Sequence, residues 1–157
     1  MGSLLEDLRV GADWISLALR SSGYLADFSP ESLAEVDRFF DEHSREGHPA
    51  PGGLLAEDTG SRLFALGAYV GEVIQRRLGG DWMADDNDPA GEVNLMLRLS
   101  DGTVLWPVQR VIKRLTNGHE DGIAAYGAAF GLTPMTVITP EQLRRMVRPL
   151  RPPVPPA

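Results

Sequence analysis

The chain has 157 residues, 43% hydrophobic and 24% charged, a balance that fits one globular core and excludes wholesale disorder. It contains no cysteine, which removes disulfides, thiolate metal sites and a cysteine nucleophile together and agrees with a reducing compartment. Net charge is −7; because Arg144, Arg145, Arg148 and Arg151 stand in an acid-free stretch, residues 1–143 carry −11 and repel phosphate backbones and anionic lipid.

Met1 to Asp7 lack a basic start and a continuous apolar run, so no secretory leader is expected. Nowhere does the chain approach the ~20 consecutive apolar residues of a membrane span. The expected location is the cytoplasm.

Ser3-Leu4-Leu5-Glu6 has the form of a capping box and announces a first helix. Leu4, Leu8, Trp14, Ile15, Ala18 and Leu19 fit its buried face, with a break expected at Gly11 and a stop at Gly23. Tyr24 to Phe28 reads as an extended connector. Ser29-Pro30-Glu31 opens a second helix, with a capping hydroxyl, a preset φ and an acid at the positive end of the dipole. Leu33, Val36, Phe39 and Phe40 line its apolar face. From His43 to Gly53 the Gly and Pro residues predict a loop.

The longest helical pattern runs from about Ala56 to Leu78, with Leu63, Leu66, Val70, Val73 and Ile74 on one face. Gly67 and Gly71 lie four apart within it. Each costs ~1 kcal/mol of helix stability relative to Ala, so a helix or sheet is expected to pack unusually close there.

The period then changes from helical to alternating. Asp81 to Ala84 is a short strand candidate. Val93, Leu95, Leu97 and Leu99 alternate with polar or flexible residues as one buried strand face. Asp101-Gly102 supplies a hairpin turn and Val104 to Trp106 the return strand. Pro107 starts a helix with Val108, Val111, Ile112 and Leu115 facing inward, closed by Asn117-Gly118. Ile123, Tyr126 and Phe130 mark a short helix ending at Gly131, weakened by Gly127. Thr139 to Gln142 caps a last one over Leu143, Met146 and Val147. The expected fold is therefore α+β: one domain over residues 1–150, a small antiparallel sheet of about three strands packed with flanking helices, and a Pro-rich tail over 151–157.

Signals for chemistry are sparse. His43 and His48 with Glu42 or Glu46 can be drawn as a metal site, but a Gly/Pro loop offers no preorganisation, and solvated histidines are the expected reading. The acidic run Asp81 to Glu92 fails the calcium-loop template at Pro89, Ala90 and Met96. No phosphate-binding or nucleophile-elbow motif occurs. Glu72, near Tyr69, could act as a general acid or base, although its i,i+4 spacing to Arg76 is explained more simply by a surface ion pair. Arg110, Lys113 and Arg114 form a basic patch whose plainer role is to balance acids and helix ends. Trp82 and Trp106 are expected to pair within the core. No catalytic residue, metal or cofactor is expected.

The residues Leu66-Gly67-Ala68-Tyr69-Val70-Gly71-Glu72-Val73-Ile74, Gly79-Gly80-Asp81-Trp82, Pro107, Val111, Lys113-Arg114-Leu115, Asn117-Gly118, Glu120-Asp121 and Tyr126 form a pattern. Ser32-Leu33 and Asp37 to Phe40 extend it upstream. The pattern resembles a small bacterial domain family, mainly actinobacterial and itself of unknown function, so the resemblance implies no activity.

The expected function is a non-enzymatic protein-interaction or accessory, immunity-like module whose partner is another protein. A homo-oligomer is compatible with this, a membrane is not expected, and nucleic acid is disfavoured. The alternative is a small-molecule binder or weak enzyme with a site between the Gly67/Gly71 helix and the Trp82/Trp106 strands. Binding of nucleic acid through Arg110, Lys113, Arg114 and the Arg144–Arg151 segment is the third reading. Tyr69, Glu72, Trp82, Trp106, Arg110, Lys113 and Arg114 are the candidate contacts.

Overall fold

A computed structural model describes residues 3–132; the Leu143–Val147 helix and the Pro-rich tail expected from the sequence lie outside the described residues. The fold is α+β. Among the described residues five helices surround two small antiparallel sheets: α1 (Leu4–Ser21), α2 (Ser32–His43), β1 (Ser44–Arg45), β2 (His48–Pro49), α3 (Thr59–Leu78), β3 (Asp81–Met83), β4 (Met96–Arg98), β5 (Val104–Leu105), α4 (Pro107–Asn117) and α5 (Ile123–Ala129).

Helix α3 is the axis of the molecule. It packs most extensively against α1 and next against α4, while α5 packs on α2. Leu66, Tyr69, Val70, Val73 and Ile74 of α3 share one core with Ile15 and Leu19 of α1, Phe39 and Phe40 of α2, and Leu97, Leu99 and Leu105 of the sheet. A second cluster joins Leu8, Ala12, Phe64, Ala68, Leu95 and Val108.

Helix α1 begins as the sequence predicts, with the Ser3 hydroxyl accepting from the Glu6 amide at 3.2 Å. It does not break at Gly11. Gly11 faces Ala65 of α3, where an added side-chain carbon would make ordinary van der Waals contact at 3.5 Å, and the helix runs through it unbroken. The helix ends in a Schellman motif: Tyr24 N–H donates to the Leu19 carbonyl at 2.9 Å and Gly23 N–H to the Arg20 carbonyl at 3.1 Å. Gly23 supplies the φ of 91° that this turn demands.

Helix α2 starts one turn later than Ser29-Pro30-Glu31, which form a turn leading into it. The preceding Phe28 takes a φ of 63°, an unusual value for a bulky residue. Its N–H donates to the Tyr69 hydroxyl at 3.0 Å, its ring lies 4.6 Å from that of Tyr69, and the Arg76 guanidinium covers it at 3.7 Å. These three contacts hold the strained backbone in place.

The His43–Gly53 segment is more ordered than a loop. Ser44 pairs with Pro49 and Arg45 with His48, and positive φ at Glu46 and Gly47 makes the two-residue turn that matches strand twist. A single 3-10 turn over Leu54–Ala56 follows.

The three-stranded sheet has the order β3-β4-β5, with Trp82 opposite Leu97 and Leu97 opposite Leu105. Asp101-Gly102 makes the predicted hairpin, closed by Leu99 N–H on the Thr103 carbonyl at 2.7 Å. The strand β4 is shorter than the alternation suggests. Leu95, Leu97 and Leu99 are buried, but Val93 sits in a preceding turn and is 40% exposed.

Candidate functional site

The residues singled out from the sequence occupy three unlike environments. Gly67 and Gly71 mark a close approach, as their spacing predicts. A side-chain carbon on Gly67 would lie 2.5 Å from the Val108 Cα, and one on Gly71 would lie 2.0 Å from the Trp82 ring. The space between the Gly67/Gly71 helix and the sheet is therefore filled by the Trp82 ring and the first turn of α4. The indole N–H of Trp82 donates to Glu72 at 3.2 Å, and Glu72 also meets Arg76 at 3.7 Å. Glu72 thus locks Trp82 onto Gly71. Trp106, 42% exposed, does not join Trp82 in the core and instead borders a surface cavity with Met83, Met96, Asp85 and Asp88. Tyr69 is wholly buried, accepts from Phe28 N–H and donates to the Ser32 hydroxyl at 2.7 Å. Burial pushes its phenol pKa upward.

The basic patch is not a patch. Arg114 is 2% exposed and inserts between α4 and α2, where its guanidinium donates to Asp37 at 2.9 Å and Asp41 at 2.8 Å. Asp37 also accepts from the Ile123 and Ala124 amides at 2.8 and 2.9 Å, capping the start of α5. Arg110 is engaged by Asp121 at 2.8 Å and stacks 4.4 Å from the Tyr126 ring centroid. Of the three only Lys113 is exposed without a described acidic partner. Two of the three cations thus balance acids of this chain, the plainer of the two roles expected of them, although the sequence did not name the partners.

The histidines are likewise accounted for. His43 stacks on Phe39 at 4.5 Å, His48 is exposed in β2, and His119 meets Asp41 at 2.9 Å. In the acidic stretch, Asp85 and Asp88 accept from the Asn87 and Ala90 amides at 2.9 Å, and Asp86 accepts from Leu4 N–H at 2.8 Å. The run is a folded loop docked on the start of α1. Among the described residues no three His, Asp or Glu side chains converge as metal ligands do.

One surface does stand apart, and sequence reading assigned it to the wrong side. Leu8, Ala12, Ile15, Ser16 and Leu19 form the buried face of α1. Val10, Trp14 and Leu17, at i, i+4 and i+7, lie on the opposite face at 69, 44 and 59% exposed. Trp14 thus leaves the core face on which the periodicity placed it. Beside this stripe, between α1 and the first turns of α3, opens a groove of about 380 Å³. Val10, Trp14 and Phe64 supply apolar wall, and Asp7, Asp58 and Glu92 supply carboxylates. The one cation in the wall, Arg62, lies over the Trp14 ring at 5.4 Å and donates to the Leu54 carbonyl. The groove therefore combines an apolar floor with an excess of negative charge. A second helical period at positions 10, 14 and 17, out of phase with the first, was the signal available for it.

No family model, curated protein or solved structure matches this chain. The functional reading accordingly rests on the surface itself. Among the described residues no helix is long and apolar enough to cross a membrane.

Proposed function

We propose that this chain is a non-enzymatic interaction module, of the accessory or immunity-like kind, whose α1 groove takes a basic amphipathic helix of another protein. The carrying observation is the stripe of Val10, Trp14 and Leu17, exposed among the described residues on a helix whose other face is already in the core. Exposed apolar surface of this sort beside charge is characteristic of a binding site, and a half-exposed Trp is a typical anchor. The carboxylates of Asp7, Asp58 and Glu92 select the charge of the occupant, since they line the same groove and favour lysine or arginine beside its apolar wall. A second copy of so acidic a chain fits poorly, because the two bodies repel.

The alternative, a small-molecule site between α3 and the sheet, loses its space to Trp82 and Val108. Photocrosslinking tests the proposal: a photoreactive residue at Leu17, compared with one at Lys113, is used in lysate of the native host. The expected adduct at Leu17 is a peptide with apolar residues at helical spacing and net positive charge. It should disappear with Trp14→Ser, because truncating a central aromatic anchor costs ~2 kcal/mol or more of binding. Adducts that are acidic, or equal at both positions, would contradict the reading.

A further inference from the structure

The cavity beside Trp106 is built on the register of the sheet. Met83 stands opposite Met96, and the next pair, Trp82 with Leu97, turns toward the core. Leu97 is also opposite Leu105, so Trp106, one place on, falls in line with Met96. Because side chains alternate between the faces of a sheet, Met83, Met96 and Trp106 form one row on the outer face. The loop from β3 to β4 closes one side of that row and brings Asp85 and Asp88 to a cavity of about 400 Å³. We infer that this cavity binds a small organic cation, a primary ammonium ion carrying an apolar arm. It shares no described lining residue with the α1 groove and does not rest on the reading given to that groove.

The apolar wall is the first support. Met83 and Trp106 are each 42% exposed and so leave apolar surface for an occupant. Thioethers adapt to varied shapes, and the face of a Trp attracts cations more strongly than other aromatic rings do. Arginines of this chain lie over Tyr24, Trp14, Phe28, Tyr126 and Phe40. Among the described residues no cation lies over Trp106.

The carboxylates are the second. Asp88 accepts the Ala90 amide on one oxygen and the Asn94 side-chain amide on the other, both at 2.9 Å, and Gln109 holds Asn94 in turn at 3.3 Å. These bonds lower the Asp88 pKa and keep it anionic. Asp85 accepts the Asn87 amide on one oxygen, and its other oxygen has no hydrogen-bond donor among the described residues. Neither acid has a described cationic partner.

Preorganisation is the third. Asp86 accepts from Leu4 N–H at 2.8 Å, and Gly91 packs so close that a side-chain carbon there would lie 2.7 Å from the Leu4 side chain. The loop is therefore fixed before a ligand arrives, which spares the cost of ordering it. Acceptors at one end favour a cation that still carries N–H groups, since a quaternary ammonium would leave Asp85 without a donor. The Met83–Met96–Trp106 row favours an apolar arm, and the two acids repel anions.

NMR spectra of the full chain test this as phenethylammonium chloride is added, with phenethyl alcohol as the neutral match in shape. The ammonium should shift the Trp106 indole N–H and the Met83 and Met96 methyls along saturating curves, with a Kd of ~1 mM or tighter. The alcohol should bind at least ~5-fold more weakly, having neither charge nor cation–π attraction. Asp85→Asn retains the bond to Asn87 and should weaken the ammonium ~2- to 5-fold while leaving the alcohol unchanged. Trp106→Leu keeps an apolar side chain and should weaken the ammonium by a similar ~2- to 5-fold. An unmoved Trp82 indole signal in each variant verifies that the sheet is intact. Equal affinity for the alcohol, curves that do not saturate, or an ammonium affinity that neither variant changes overturns the inference. Shifts centred on Trp14 overturn it too, by moving the cation to the α1 groove. The crosslink at Leu17 does not report on this cavity, so the two readings fail separately.

Discussion

Helix α3 meets its neighbours in two contrasting ways. Along Gly67 and Gly71 it lets α4 and the Trp82 ring approach until no side-chain carbon fits between them. At its start, beside Ser61, Arg62 and Ala65, the same helix and the outer edge of α1 line a groove of about 380 Å³. The closed side is held by polar clasps: Glu72 on Trp82, and Arg114 on Asp37 and Asp41 at the far edge of α4. The open side has carboxylates facing solvent. Tight glycine packing and satisfied buried charge mark a surface that the fold uses for itself, whereas a half-exposed Trp beside carboxylates with no cationic partner among the described residues marks one available to others.

The largest effect that would break this comparison lies at Arg114. Arg114→Met leaves Asp37 and Asp41 without their buried cation, and because both acids keep contact with solvent the cost should be ~1–3 kcal/mol. Urea unfolding should show it, with Arg114→Lys recovering only part, since an ammonium cannot span both carboxylates in one plane. An unchanged midpoint would mean that the closed side is not held there.

Next comes Gly71→Ala. The added methyl would sit 2.0 Å from the Trp82 ring, and overpacking of this kind costs ~1–3 kcal/mol despite the gain in helix propensity. Gly60→Ala sharpens the contrast, for Gly60 has nothing within 4 Å and the substitution should stabilise by up to ~1 kcal/mol. On the open side, Trp14→Ser should change stability by less than ~1 kcal/mol while abolishing the crosslink at Leu17. A large loss of stability there would assign Trp14 to the core after all.

The smallest effect concerns pH. The Arg38 guanidinium, with help from the Leu25 amide, lowers the Glu35 carboxyl from its usual 4.5 to about 2. Because the folded value is the lower one, this stabilisation is present above about pH 4.5 and is lost as pH falls toward 2. The pair is partly exposed, so Glu35→Gln should flatten only a shallow part of the acid-stability curve.

Much of the fold could be read from local pattern. The Ser3 cap, the Gly23 stop, the Asp101-Gly102 turn and Pro107 at the head of α4 all act through backbone rules that involve a few neighbours. The Gly67/Gly71 spacing announced a close approach before its partner was known. What failed were questions of which side is covered. Helix α1 has apolar residues on two faces, and periodicity alone placed Trp14 on the wrong one. Gly11 looked like a break because its neighbour Ala65 is remote in sequence. Arg114 balances acids, as the plainer reading had it, but Asp37 lies 77 residues away and could not be named as the partner. Within 43–53 the Gly and Pro residues hid a two-residue hairpin whose strands are too short to alternate. The candidate groove is lined by α1, by the start of α3 and by Glu92, residues up to 85 positions apart, and no local motif encodes such a meeting.

Asp37 also carries a consequence for the order of assembly. Its carboxylate closes the first turn of α5 across 86 residues of chain, so that seven-residue helix has no end-cap until α2 has docked. So short a helix does not persist alone in water. Pulse-labelled hydrogen exchange should therefore find the Ile123 and Ala124 amides protected late in refolding, together with the α2 packing and after α3. Asp37→Ala should leave the early phase intact and slow or erase the last one.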